Sequence, residues 1–252
     1  MALNFRQKID LELQRSLASK FSVIEYFWMM FAFRFIYRFK VANVAEIRKR
    51  YRQIMNDKNR PVLICSNHLT LIDSVIQALV LNSNFGYLTR PKTFAWNFPE
   101  RKNYYHKFYW RVLCYFGKCI PVTRGGSPEQ SRLARDQMSY VVSKGDVLAI
   151  FPEGHRSRSG RVDTQEYSYA PGQFLQQIPG ARVLCVYLRG KNHGGFADFP
   201  KKGEEIYLEM QVIEPSSELS GMRKARDLSS QIIGKLKEME EEYFNHAAVG
   251  GQ

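Results

Sequence analysis

The sequence predicts an α/β fold: a mostly parallel central sheet flanked by helices, with an N-terminal helical segment ahead of it. Three observations carry that expectation. From Pro61 onward, short apolar runs suited to strands alternate with longer amphipathic stretches, the pattern of a layered parallel sheet. Polar segments, one of them glycine-containing, follow strand candidates, where open α/β sheets place their ligands. Before Pro61 the chain reads as helix and is rich in aromatic and basic residues. At 252 residues the chain is long enough to bury roughly 70–75% of its unfolded surface, so disulfides and structural metal are not needed. Cys65, Cys114, Cys119 and Cys185 are scattered without a CxxC pair, and read as reduced, mostly buried thiols in a reducing compartment.

Taken in order, Ala2–Ser19 and Val41–Asp57 read as helices on either side of Phe21–Phe39, FSVIEYFWMMFAFRFIYRF. Only Tyr26 to Phe33 of that run is free of charge, well short of the ~20 apolar residues that span a bilayer. Arg34 and Arg38, four apart, share a helical face, and aromatic side chains favour the headgroup boundary. A helix lying in the membrane plane fits this pattern; a helix packed on the protein's own core is the plainer alternative. The formal charge is +13, which anionic membrane, nucleic acid or an anionic substrate would each explain. Thirteen basic residues against five acidic ones lie at or before Arg60, together with the densest aromatic run, and that combination points to a lipid surface. No secretory signal peptide is recognisable. The expected organisation is a membrane-docking helical segment over 1–58, an α/β domain over 59–246 and a flexible tail over 247–252. The expected location is peripheral or monotopic on the cytoplasmic face of a membrane.

After the polar turn Asn56–Arg60, PVLICS (Pro61–Ser66) suits a buried strand and Ile72–Leu81 a helix. Gly86–Arg90 reads as a second strand, Tyr104–Phe116 as an aromatic helix and Lys118–Thr123 as a third strand. Pro128–Lys144 is amphipathic, with a proline near its start. Asp146–Phe151, Arg182–Leu188 and Glu204–Ile213 complete six predicted strands, and Leu219–Asn245 closes the chain as a charged amphipathic helix.

Three segments can do chemistry. The first, Asn67 to Asp73, directly follows a strand candidate. On one regular helix His68 and Asp73 would point about 140° apart. They meet only if His68 sits on the loop leaving the strand and Asp73 on the first helical turn. An Asp on one ring nitrogen fixes the tautomer and leaves the other as a general base. The second, Phe151-Pro152-Glu153-Gly154-His155-Arg156-Ser157, follows the fourth strand candidate. Glu153 suits a hydroxyl contact, and Arg156 and Arg158 suit a phosphate. The third ends Gly117–Thr123 with Arg124, a further anion contact at the same sheet edge. His106, His193 and His246 have no partner in sequence, and Gly190–Gly195 reads as a mobile loop. Tyr104–Trp110 suits either an acyl-chain groove or a core stripe.

HLTLID (His68–Asp73) matches the HX4D motif, and FPEGHRS (Phe151–Ser157) the FPEGTR motif, of the PlsC-like glycerolipid acyltransferases, which include the 1-acylglycerol-3-phosphate acyltransferases. The segment ending at Arg124 resembles that family's second block, and Arg182–Leu188 stands in the place of its fourth. The resemblance, over about Arg60 to Arg189, implies His68 as catalytic base and Asp73 as its partner. It places Glu153, Gly154, Arg156 and Arg124 around the acceptor. It also implies an acyl-CoA or acyl-carrier-protein donor, no metal and no other cofactor, and an N-terminal helical pair on one membrane leaflet. His155 replaces the usual Thr, Ala170-Pro171-Gly172 replaces basic residues before a Gly, and the fourth block lacks its prolines. These departures flank the expected acceptor pocket and leave the acceptor open.

The expected function is acyl transfer from a thioester to a hydroxyl of a lysophospholipid or related polar lipid, with membrane lipids as partners and nucleic acid not among them. A hydrolase is the first alternative, weakened by the lack of a G-x-S-x-G elbow, an HExxH helix or a Cys/His metal set. A non-catalytic basic membrane-binding protein is the second. Cys65 lies near His68 in sequence, but its apolar strand favours an inert thiol over an acyl-enzyme nucleophile.

Overall fold

A computed structural model describes residues 3–57 and 60–249. Helix α1 spans Phe5–Phe31 and runs into a π-helical turn, Ala32–Ile36. The two N-terminal helices expected on either side of Lys20 are thus one. Nothing between Phe5 and Phe31 breaks it, and Asn4 starts it with a capping box to Gln7. Strand β1 (Lys40–Val41) and helix α2 (Val44–Ile54) follow. Then come β2 (Val62–Ser66), α3 (Asp73–Leu81), α4 (Asn84–Thr89), α5 (Arg101–Tyr104) and α6 (Phe108–Phe116). The chain continues through α7 (Pro128–Ser143), β3 (Leu148–Ile150) and α8 (Ala170–Gln177), then β4 (Arg182–Gly190), β5 (Glu205–Ile213) and α9 (Gly221–Val249). The predicted tail begins inside α9; residues 250–252, like Met1, Ala2, Lys58 and Asn59, lie outside the described residues.

Among the described residues five strands form one sheet in the order β1-β5-β4-β2-β3, parallel except for the β4–β5 pair. β4 is buried on both faces, which is why its sequence is a continuous apolar run rather than an alternation. Leu184, Val186 and Leu188 join the layer containing α2 and α3, while Val183, Cys185 and Tyr187 face the layer containing α9. β1 and α2, grouped by sequence with the N-terminal segment, belong to this architecture. Lys40 N donates to Glu204 O at 2.9 Å, and the buried Tyr51 hydroxyl donates to Thr93 O at 2.7 Å.

Two predicted strands differ. Gly86–Arg90 lies mostly in α4, capped by Ser83, whose hydroxyl accepts from Gly86 N at 3.0 Å. Lys118–Thr123 is extended but meets its neighbour only through isolated parallel bridges, Asn97 with Cys119 and Glu100 with Val122. Pro99 denies that ladder one N–H donor, between the Ile120 N to Asn97 O and Val122 N to Pro99 O bonds. The predicted helix Tyr104–Phe116 is broken between α5 and α6, and α8 falls where the sequence showed only a departure from a motif.

α1 is stapled to this body by buried charge. Asp146, just ahead of β3, accepts from Lys118 Nζ at 2.9 Å and from Arg15 Nε at 2.5 Å. Lys118 is fully buried, and its ammonium also donates to Pro91 O and Phe94 O. Along α1 the residues turned inward are Leu11, Gln14, Ala18, Ser22 and Tyr26, mostly small or polar. Ile24, Phe27, Trp28 and Phe31 face outward. No helix among the described residues is long and apolar enough to cross a membrane.

Candidate active site

The site is built where β2 and β3 end side by side, both pointing to the same sheet edge. The chain leaving β2 is fixed first by Asn67. This fully buried side chain continues the sheet into β4, donating to Leu188 O at 2.9 Å and accepting from Leu188 N at 2.7 Å. His68 follows on the loop. Asp73, first residue of α3, draws that loop around its carboxylate: Oδ2 accepts from Leu69 N at 2.6 Å and Thr70 N at 2.8 Å, and Oδ1 from the Thr70 hydroxyl at 2.5 Å. The loop therefore curls back, and His68 Nδ1 lies 3.0 Å from Asp73 Oδ2. A carboxylate there accepts a hydrogen bond from Nδ1–H and so fixes the tautomer with the lone pair on Nε2, which makes no hydrogen bond among the described residues. The ring stacks on Phe151 at a centroid distance of 4.2 Å.

The segment after β3 grips the same loop. Glu153 Oε1 accepts from His68 N at 2.8 Å and Oε2 from Asp163 N at 3.4 Å. Ser157 N donates to His68 O at 2.8 Å. His68 is thus held through both its backbone groups. Burial pushes the Glu153 carboxyl up to about 8, against the lowering by those two backbone donors. The carboxylate that sequence assigned to a substrate hydroxyl faces the protein's own backbone. Gly154 turns the chain at φ +75°, a conformation that favours glycine. Arg156 projects beside the site, paired with Asp198 and lying over the Phe196 ring.

His68, Asp73, Glu153, Gly154 and Arg156 are thus brought together. Arg124 stands apart, one segment further along the same edge. Its backbone N donates to Glu100 Oε2 at 3.0 Å, and its half-exposed guanidinium lies 3.7 Å from that oxygen. On α5, burial raises the Tyr104 phenol and the charge of Arg156 pulls it back down.

Sequence reasoning passed over Asn67, Ser157 and Asp198. Asn67 was adjacent to the motif and could have been found as a polar residue at the end of a buried strand. Asp198, remote and outside any motif, left no signal. The expected mobile loop Gly190–Gly195 is instead tied down. Arg189 donates to Gly160 O at 2.6 Å and to His193 O, and Asn192 is held by Glu204 through 2.8 and 3.0 Å bonds. His193 is buried there, and burial pushes its imidazole down while Asp73 pulls it up. Cys65 is fully buried, and burial drives its thiol well above the ordinary range.

The family model for acyltransferases matches residues 38–174, more than half of the chain and every element that builds this site up to α8. The chain belongs to the acyltransferase family. No curated protein sequence matches it. The matched acyltransferase region holds both segments that carried the resemblance, HLTLID and FPEGHRS, and ends before β4 and the connection that carries Asp198.

Proposed function

We propose that this acyltransferase moves a fatty acyl group from acyl-CoA or acyl-carrier protein to a hydroxyl of a lysophospholipid or related polar lipid at a membrane surface. The observation that carries the mechanism is the His68–Asp73 pair, with Nδ1 held and Nε2 presented outward. Nε2 takes the acceptor hydroxyl proton as the oxygen bonds to the thioester carbonyl carbon. The tetrahedral intermediate then breaks its C–S bond, and His68 returns the proton to the departing thiolate. Asp73 holds tautomer and orientation; Glu153 acts through the His68 backbone as a positioning residue. No metal or other cofactor takes part, and nucleic acid is not a partner.

Membrane association is supported by the C-terminal half of α1 and the π-helical turn after it, where Ile24, Phe27, Trp28, Phe31 and Phe35 face out. Trp28 and Phe35 are each 62% exposed. α4 adds Phe85 and Leu88 to the outer surface, and α6 adds Phe108 and Tyr109. Arg101 and Arg111 flank a cavity of about 560 Å³ lined also by Tyr105, Phe108 and Val112, suiting headgroup contact beside an apolar face. The chain docks peripherally or monotopically on the cytoplasmic leaflet, with α1 leading and the sheet-containing body that follows it carrying the chemistry.

General-base catalysis is typically worth ~10²–10⁴-fold, so His68→Ala should cut acyl transfer by about that factor with the circular dichroism spectrum unchanged. A variant that kept near-normal transfer from labelled acyl-CoA or acyl-carrier protein would remove the mechanism. Free fatty acid as the main product would instead make the protein a hydrolase.

A further inference from the structure

The connection from β4 to β5 closes the site over Arg156. Asp198 does two things there. Its backbone carbonyl accepts from Leu71 N at 2.9 Å, inside the His68–Asp73 loop. Its carboxylate pairs with Arg156 Nη1, which also reaches Ala197 O at 3.4 Å. Phe196 covers the same guanidinium, with Cζ 4.4 Å from the ring centroid. The carboxylate side is the open one: the Asp198 side chain is 62% exposed against 24% for Arg156. The protein thus places its own anion on the cation that an acceptor headgroup would meet.

We infer that Asp198 is a specificity-determining residue, holding the anion position on Arg156 so that a phosphate-bearing acceptor must displace it and an uncharged one need not. The inference rests on the reading of Arg156 as an acceptor contact. A phosphate dianion and a carboxylate on one guanidinium repel each other, and the forked donor set cannot serve both fully. Asp198 therefore lowers the affinity of the site for phosphate without blocking access to His68.

The test uses the full chain and two readouts. Glycerol 3-phosphate is titrated calorimetrically into wild type, Asp198→Asn, Asp198→Glu and the Asp198→Asn/Arg156→Gln double variant. Asp198→Asn should bind about tenfold tighter, Asp198→Glu like wild type, and the double variant should lose the gain. In parallel, the ratio of kcat/KM for lysophosphatidic acid over monoacylglycerol should rise about tenfold in Asp198→Asn. Equal glycerol 3-phosphate affinity in wild type and Asp198→Asn overturns the inference. So does an equal fall of kcat/KM for both acceptors, the mark of a purely structural tie. A binding gain without acyl transfer to any lipid supports the inference and sinks the lipid-acceptor reading instead.

Discussion

At the scale of single residues, the least comfortable group is Glu25. It lies in the aromatic part of α1, turned toward α6 and Gly117, and neither carboxylate oxygen has a hydrogen-bond partner among the described residues. Burial pushes its carboxyl up to about 7. The folded protein then holds a proton that the unfolded chain has released, so stability is lost as pH rises from the ordinary carboxyl range through 7 and is level above it. Glu25→Gln removes that loss. Chemical denaturation should show the variant equal to wild type near pH 4 and more stable by about 3 kcal/mol at pH 8; a constant difference across that range would show that Glu25 is not the source. Among site residues, His68 and Asp73 were legible because five residues admit one useful geometry, a loop followed by a first helical turn. The role of Glu153 was not, because sequence cannot tell a carboxylate facing solvent from one facing a backbone N–H.

At the scale of elements, the buried Lys118–Asp146–Arg15 group decides how α1 meets the sheet. Burial lowers the Lys118 ammonium, and Asp146 pulls it back up. Removing one partner of a buried pair leaves a charge uncompensated, at a cost of about 3–5 kcal/mol. Lys118→Met should lower stability by somewhat less, about 3 kcal/mol, since Arg15 remains, and adding Asp146→Asn should recover part of it. Denaturant midpoints of Lys118→Met, Asp146→Asn and the double variant check this; a double variant equal to the sum of the singles would exclude the coupling. β2, β3, β4, β5 and α9 were legible because burial on one or both faces writes directly into hydropathy. The Lys118–Thr123 segment was not: its composition is strand-like, and the proline that thins its ladder, Pro99, lies on the neighbouring segment and meets it only in space. Gly86–Arg90 was missed because a single serine cap outweighed a short apolar run.

At the scale of the whole molecule, the apolar surface of α1, α4 and α6 is continuous enough to be tested as one object. Phe27, Trp28 and Phe31 form a chain of ring contacts at 5.6 and 6.2 Å, with Trp28 and Phe27 mostly exposed. Changing all three to Ser should leave the melting temperature within a few degrees, since exposed positions contribute little to folding. Co-flotation with phospholipid vesicles should fall at least tenfold; undiminished flotation would remove these helices from the docking surface. The sequence showed that basic and aromatic residues concentrate before Arg60, but not that α1 turns Ala18 and Ser22 inward and Ile24, Phe27, Trp28 and Phe31 outward, which is settled by packing. One consequence follows from the Arg15–Asp146 bond. Because it clamps the outward-facing helix to the residue leading into β3, the imidazole and the apolar face of that helix keep a fixed separation, and on the proposed membrane surface they would approach the lipid together. The enzyme would then work like a depth gauge, acylating hydroxyls that sit at one height above the acyl chains and passing over those buried deeper or held further out.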